Sequence, residues 1–308
     1  VELNGGFVCQ GGKILFLILC AAWLASHTAA QAAEEEEAPT VYWPYLYVEP
    51  LCVTEDGRLS GIAIAIQDML FPRIKGVRNR RIYAPPARCA VLAEGNITLC
   101  VTGLLKKSGR AQRYLYSDIP ALLLPPVEIT ALKGRLSAMA QNGAISLEEL
   151  LQHPDLSLGV NKFFSYGEKV DDLLSRYKDR ARIVSAYSPE FSKQVLRMLK
   201  AGRIDYTLLG ASEAKRAAEE LGLVQDFESF TLAEGLSFDP GYIACTRNEL
   251  GKEVIRRVNA LLWNMTQTHS YLELFSPWIP AQSWEAFQHE YKAAMFGRPD
   301  EPAAASSP

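Results

Sequence analysis

Apolar side chains recur every three or four residues in three long stretches, and each stretch predicts a helix with one buried face. Ile62, Ile66, Met69 and Leu70 mark the first, within Gly61–Ile74. Val170, Leu173, Leu174 and Tyr177 mark the second, within Phe163–Tyr177, and Val254, Val258, Leu261, Leu262 and Met265 mark the third, within Gly251–Met265. A further set, Trp284, Phe287, Tyr291 and Met295, predicts a last helix whose role is packing. Between these lie short β-prone runs: Val41–Val48, Arg81–Tyr83, Ile97–Val101, Leu156–Val160, Arg182–Tyr187, Ile204–Leu209 and Tyr242–Thr246. Strands that alternate with helices predict an α/β fold.

Turn and cap residues punctuate this pattern. Pro44 inside Val41–Val48 predicts a strand that ends in a loop. Asp56, Gly57 and Arg58 make a turn, and Pro85 and Pro86 open a short helix that carries Arg88 and Cys89 and stops at Gly95. Ser146, with Glu149 three residues on, is a capping box. Ser188 and Pro189 open another helix, which Gly202 ends. Ala121–Leu132 is apolar and extended, and its double proline, Pro125 and Pro126, fixes φ and removes two donors. That composition suits a stiff connector between two bodies.

The start of the chain reads as targeting rather than structure. Lys13 precedes the apolar run Ile14–Ala25, and Ala30, Gln31 and Ala32 supply a small-residue cleavage site, so residues 1–32 predict a secretory signal cleaved near Ala32. Leu19 is too large for the position before a lipoprotein Cys20. Residues 33–40 form an acidic, solvated leader, and residues 297–308 a disordered tail. The net charge of −3 gives no case for nucleic acid or an anionic membrane surface. Four cysteines remain after cleavage, Cys52, Cys89, Cys100 and Cys245, which allow three pairings or free thiols and have no metal-ligand spacing. His27, His153, His269 and His289 are scattered; no Ser/His/Asp, Cys/His or metal grouping emerges, and no cofactor is expected.

The most informative chemistry lies in Asn96–Pro120. A short strand runs into Gly103, a basic segment carries Arg110, and a second strand is entered through Ser117 and Pro120. One guanidinium is thereby placed beyond a strand end, where open α/β sheets bind ligands, and a guanidinium holds a carboxylate through two parallel hydrogen bonds. The spacing of Gly103, Lys107, Arg110 and Ser117 resembles that of the bacterial extracellular solute-binding proteins of family 3, the receptors of polar amino-acid uptake systems, with Lys107 where that family usually has threonine. The aromatic-proline-aromatic Trp43, Pro44 and Tyr45, the turn and first helix in DGRLSGIAIAIQDML, the "L..GR.D" run before Gly210 and the closing YLELFSPW resemble the same family in the same order. The segments PPARCAVLAEG and "SYG…D..L" resemble a poorly characterised proteobacterial branch of it.

The resemblance implies a type II periplasmic-binding-protein-like α/β fold of two lobes joined by two hinge strands. Lobe one would span 41–124 and lobe two 125–240, with a return to lobe one over 241–296. It implies a ligand held by Arg110 beside the backbone of Gly103 and Leu105 and covered by lobe two. Tyr42, Trp43 and Tyr45 would either stack on the ligand or pack in the lobe core. Arg88 would be a second cation or a surface arginine, and Ser165 and Tyr166 would grip an anion at a helix start or merely cap the helix. Where the family delivers an amine-binding aspartate the chain has Gly210, and the nearby Glu213 is expected to be an exposed helix-start residue.

The implied function is a monomeric periplasmic receptor that captures a small carboxylate or amino-acid-like ligand and passes it to an inner-membrane ABC permease. A sensor input acting on an inner-membrane signalling partner is the alternative. An enzyme of dehydratase or lyase type on the same fold would need a cleft acid, for which Glu94, Glu128 and Glu234 are the candidates. A bridge within lobe one that involves Cys100 or Cys245 is also expected.

Overall fold

The computed structural model describes residues 38–297 apart from 189, 236, 237 and 280. The expected signal at 1–32, residues 33–37 of the acidic leader and the tail beyond 297 lie outside the described residues.

The first lobe is assembled from β1 (Thr40–Tyr45), the hairpin β2 (Val53–Glu55) and β3 (Arg58–Ser60), α1 (Ile62–Leu70), β4 (Arg78–Tyr83), α2 (Pro86–Glu94), β5 (Thr98–Leu105), the single turn α3 (Ser108–Ala111), β6 (Tyr114–Tyr116) and β7 (Leu122–Leu124). Its sheet has the order β4-β1-β5 in parallel. Pro44 is accommodated because β5 pairs only with Val41 and Tyr42 of β1, so the missing donor faces an unpaired edge.

The chain then leaves through Pro125 and Pro126 and builds a second sheet. In order come β8 (Val127–Leu132), β9 (Ala144–Ile145), α4 (Leu147–Gln152), β10 (Ser157–Asn161), α5 (Glu168–Tyr177), β11 (Arg182–Ala186), α6 (Phe191–Lys200), β12 (Tyr206–Gly210), α7 (Ala211–Leu221) and β13 (Phe227–Leu232). The strands lie in the order β11-β10-β12-β8-β13-β9. The N-cap half of the capping box is present: the Ser146 hydroxyl accepts the Glu149 N–H at 3.2 Å. Glu234 completes this cap, its carboxylate accepting the Ser146 hydroxyl at 3.0 Å and the Glu148 N–H at 3.1 Å.

The return strand β14 (Asp239–Thr246) re-enters the first sheet antiparallel to β5, β6 and β7, and α8 (Glu249–Thr266), α9 (His269–Leu272) and α10 (Trp284–Phe296) pack behind it. Val254, Val258, Leu262 and Met265 of α8 are buried, as their four-residue recurrence dictates. Asn248 caps this helix by accepting the Gly251 N–H at 2.7 Å. Each lobe has its own apolar core, Trp43, Ile66, Leu122 and Phe275 in the first and Leu147, Leu158, Val170 and Leu208 in the second.

Two glycines allow β5 and β14 to meet beside the hinge. Gly103 has φ +85, and a Cβ on Gly241 would lie 3.0 Å from the Gly103 Cα. A side chain at Gly241 would press on Leu122 and on the Gly103 backbone, and one at Gly103 would be strained by its positive φ.

Cys100 and Cys245 are directly opposed in the β5/β14 ladder and form a disulfide, while Cys52 and Cys89 are buried free thiols. The bridge spans 145 residues, and in the chain-entropy account so long a loop contributes about 2–5 kcal/mol. Thiol labelling followed by peptide mass spectrometry is expected to mark Cys52 and Cys89 on denaturation alone, and Cys100 and Cys245 only after reduction. Labelling of all four without reductant would disprove the bridge.

Candidate functional site

A cavity of about 380 Å³ lies between the lobes, at the carboxyl ends of β1, β5 and β12. Lobe one contributes Pro44, Tyr45, Glu49, Gly103, Leu105 and Arg110; lobe two contributes the Phe163–Tyr166 segment, Leu208–Gly210 and Glu213. The volume falls in the range of small-molecule sites, and most of the wall is apolar, as in such sites generally.

Arg110 stands on α3, directly after β5. Its Nη1 donates to the Leu105 carbonyl at 3.2 Å, which Tyr116 also reaches through its hydroxyl at 3.3 Å. Among the described residues no carboxylate pairs with Arg110, so the guanidinium keeps most of its donors available to the cavity. Tyr45 lies near Tyr47 and Tyr83, with ring centroids at 5.7 and 6.0 Å. Burial, first of all, raises its phenol pKa.

Seven of the residues expected at the site line the cavity: Arg110, Tyr45, Gly103, Leu105, Ser165, Tyr166 and Gly210. Three do not. Trp43 is fully buried in the first core, where its indole N–H donates to Asn79 at 2.9 Å and its ring meets Phe71 at 5.2 Å. Tyr42, one residue earlier, points to the other face of the sheet and packs with Ala84, Cys89 and Leu99. Strand alternation turns Tyr42 away from the face that Trp43 and Tyr45 share, and of those two Tyr45, at the end of the strand, reaches the cavity while Trp43 lies deeper in the core. Arg88 is exposed, because α2 turns Pro86, Cys89 and Ala90 toward the cavity instead.

The acids are also redistributed. Glu94 is exposed and pairs with Arg113 at 3.8 Å, Glu234 caps α4, and Glu128, on β8, is not part of the lining. The carboxyl groups that do line the cavity are Glu49, Glu213 and Asp239. Burial raises the pKa of Glu49 against the opposing pull of Arg216, 3.8 Å away on lobe two. Glu213 is not the exposed helix-start residue expected from sequence. Burial pushes its carboxyl up to about 7, although the Gly210 backbone and the Ser192 hydroxyl favour its charged form, and Glu49 across the lobes pushes it further. The signal for it was one helical turn beyond Gly210.

Ser165 and Tyr166 face the cavity but are engaged. The Ser165 hydroxyl and the Tyr166 N–H donate to Asp171 at 2.6 and 3.0 Å, and Lys107 from lobe one forms an ion pair with the same carboxylate. Asp171 is the residue that sequence reasoning passed over. Among the described residues, no group of three His, Cys, Asp or Glu could hold a metal.

No protein-family model matches the sequence, and no curated protein matches it. Solved structures do. An ancestral arginine-binding protein bound to arginine superimposes with a TM-score of 0.59 at 18% identity, covering 78% of this chain and 98% of its own. An arginine periplasmic binding protein from Legionella pneumophila gives 0.56 at 14% identity, over 79% and 100%. An ancestral amino-acid-binding protein, a precursor of cyclohexadienyl dehydratase, gives 0.58 at 15% identity, over 80% and 96%. At these identities the likeness establishes the fold, the two-lobed type II periplasmic binding architecture.

The Glu213 carboxyl makes stability depend on pH in a defined direction. Its pKa is higher in the folded protein than in the unfolded chain, so the folded state binds more protons between the ordinary carboxyl value and about 7. Stability contributed by this group is therefore full below the ordinary carboxyl range and falls as pH rises toward 7. Melting curves across that window are expected to show Glu213→Gln gaining on the wild type as pH rises. Parallel curves would mean the carboxyl is not desolvated.

Proposed function

We propose that this protein is an extracytoplasmic solute-binding receptor that captures a small carboxylate or amino-acid-like ligand between its lobes. The observation that carries the reading is the cavity itself, which brings Arg110, with no carboxylate partner among the described residues, to a largely apolar interlobe space. The fold, shared with amino-acid-binding proteins of transport systems, supports the same reading.

In this reading the ligand docks on lobe one. Arg110 takes its carboxylate in a fork of two hydrogen bonds, and Tyr45 and the apolar wall take its body. Lobe two then covers it with Phe163, Phe164 and Leu208, so full affinity is reached only in the closed state. Gly210 offers no carboxylate where an amine would be sought, but Glu213 brings one within a turn. The closed form is what an inner-membrane ABC permease would recognise, with the receptor working in the periplasm.

A thermal-shift screen of amino acids, organic acids, aromatic acids and short peptides tests the reading. A ligand at a hundred times its Kd adds about 2.7 kcal/mol, a shift of several degrees. Hydrogen bonds to charged groups contribute about 1.5–3 kcal/mol, so Arg110→Ala is expected to weaken a carboxylate hit at least ~10-fold. Its ligand-free melting should barely move, since Arg110 makes one carbonyl hydrogen bond. Equal affinity in Arg110→Ala would overturn the carboxylate clamp, and a blank screen would count against the receptor.

A further inference from the structure

Lobe one and lobe two are joined by more than the hinge. Lys107 lies between β5 and α3, and its ammonium meets the carboxylate of Asp171, on α5 of the other lobe. The pair is partly withdrawn from solvent, with side-chain exposures of 35% and 21%. Asp171 does not depend on Lys107 for its position, because the Ser165 hydroxyl and the Tyr166 N–H already fix its two oxygens. Three donors thus converge on a carboxylate that belongs to the protein, and the third crosses between the lobes.

The surroundings make Lys107 more than one half of a surface pair. Asp239 begins β14, where the chain re-enters lobe one, and its carboxylate lies so close to Gly167 that a side chain there would collide with it. Asp171 and Glu168 both act on Asp239 as like charges, and Lys107 acts on it as the opposing charge. Lys107 therefore pairs with Asp171 and also opposes Asp239, which Asp171 and Glu168 repel at the junction of the lobes.

We infer that Lys107 and Asp171 form an ionic latch that holds the two lobes together when no ligand is present. The Ser165 and Tyr166 donors serve the latch rather than the ligand, which leaves the ligand carboxylate to Arg110. A protein already biased toward closure asks less differential affinity of its ligand. The inference needs only the two-lobed geometry. It can fail while the receptor reading stands, and it can hold if that reading fails.

Small-angle X-ray scattering of the ligand-free protein tests it, with Lys107→Met, Asp171→Asn and the control Lys169→Met. Among the described residues, Lys169 donates to the carbonyls of Glu234 and Gly235 at 3.4 and 3.3 Å, within its own lobe. Asp171→Asn keeps an acceptor for the Tyr166 N–H, so it removes charge without freeing that donor. An exposed ion pair contributes up to about 1 kcal/mol, and each latch variant is expected to shift the open-to-closed ratio ~5-fold toward a larger radius of gyration. Lys107→Met should open further than Asp171→Asn, because it leaves Asp239 facing Asp171 and Glu168 without the opposing charge. The wild type should also expand in 1 M salt, a measurement that requires no variant. A wild type that scatters like Lys107→Met at low salt, a radius insensitive to salt, or an equal shift in Lys169→Met would each overturn the latch.

Discussion

The two crossings of the chain leave the first lobe side by side, and every other property of the molecule depends on that pairing. Leu122–Leu124 run antiparallel to Asp239–Gly241, so the outgoing and returning strands are hydrogen-bonded neighbours rather than separate tethers. The Ala121 N–H donates to Gly241 at 2.8 Å, and the Ser117 hydroxyl donates to Ile119 at 2.7 Å while accepting from Ile243 at 3.2 Å. Backbone groups at this depth must be paired, and these bonds pair them. The result is a double strand that ends sharply at Pro125, beyond which the second lobe can tilt only as a body. The cavity lies beside this junction, where the strand ends of the two lobes face each other.

Local periodicity made much of the fold legible, and the resemblance to family 3 receptors supplied the pairing of strands into two lobes. Arg110 was legible because glycine, basic segment and strand follow one another without interruption. Tyr42 and Arg88 were misplaced for a common reason. Parity along a strand, or about 100° of helical phase, decides whether a side chain faces a cavity, and motif spacing alone does not fix it. Glu213 was seen but judged by its place at a helix start, and burial between lobes is not visible there. The Lys107–Asp171 pair was invisible in principle: the residues are 64 positions apart in different lobes, and no local pattern couples them. The same holds for choosing Cys100–Cys245 among three pairings, which the β5/β14 register settles.

The charges at the cleft are sorted by lobe. Arg110 and Lys107 belong to lobe one, while Asp171 and Glu213 belong to lobe two, and Glu49 faces Arg216 in the opposite sense. Closure therefore brings unlike charges together at two places and the Glu49 and Glu213 carboxyls together at a third. Burial raises the pKa of both acids, and a carboxyl that takes up a proton loses its repulsion. The interlobe surface is thus electrostatically balanced around an apolar cavity.

The disulfide encloses more than two strands. The ring it closes contains β6, β7, both crossings and the whole of the second lobe, while β1 to β4 and the C-terminal helices lie outside it. A protease that nicks any loop of lobe two would leave two fragments still joined through Cys100 and Cys245. The second lobe can therefore be cut without being shed, and its pieces stay at the high local concentration from which they can re-pair.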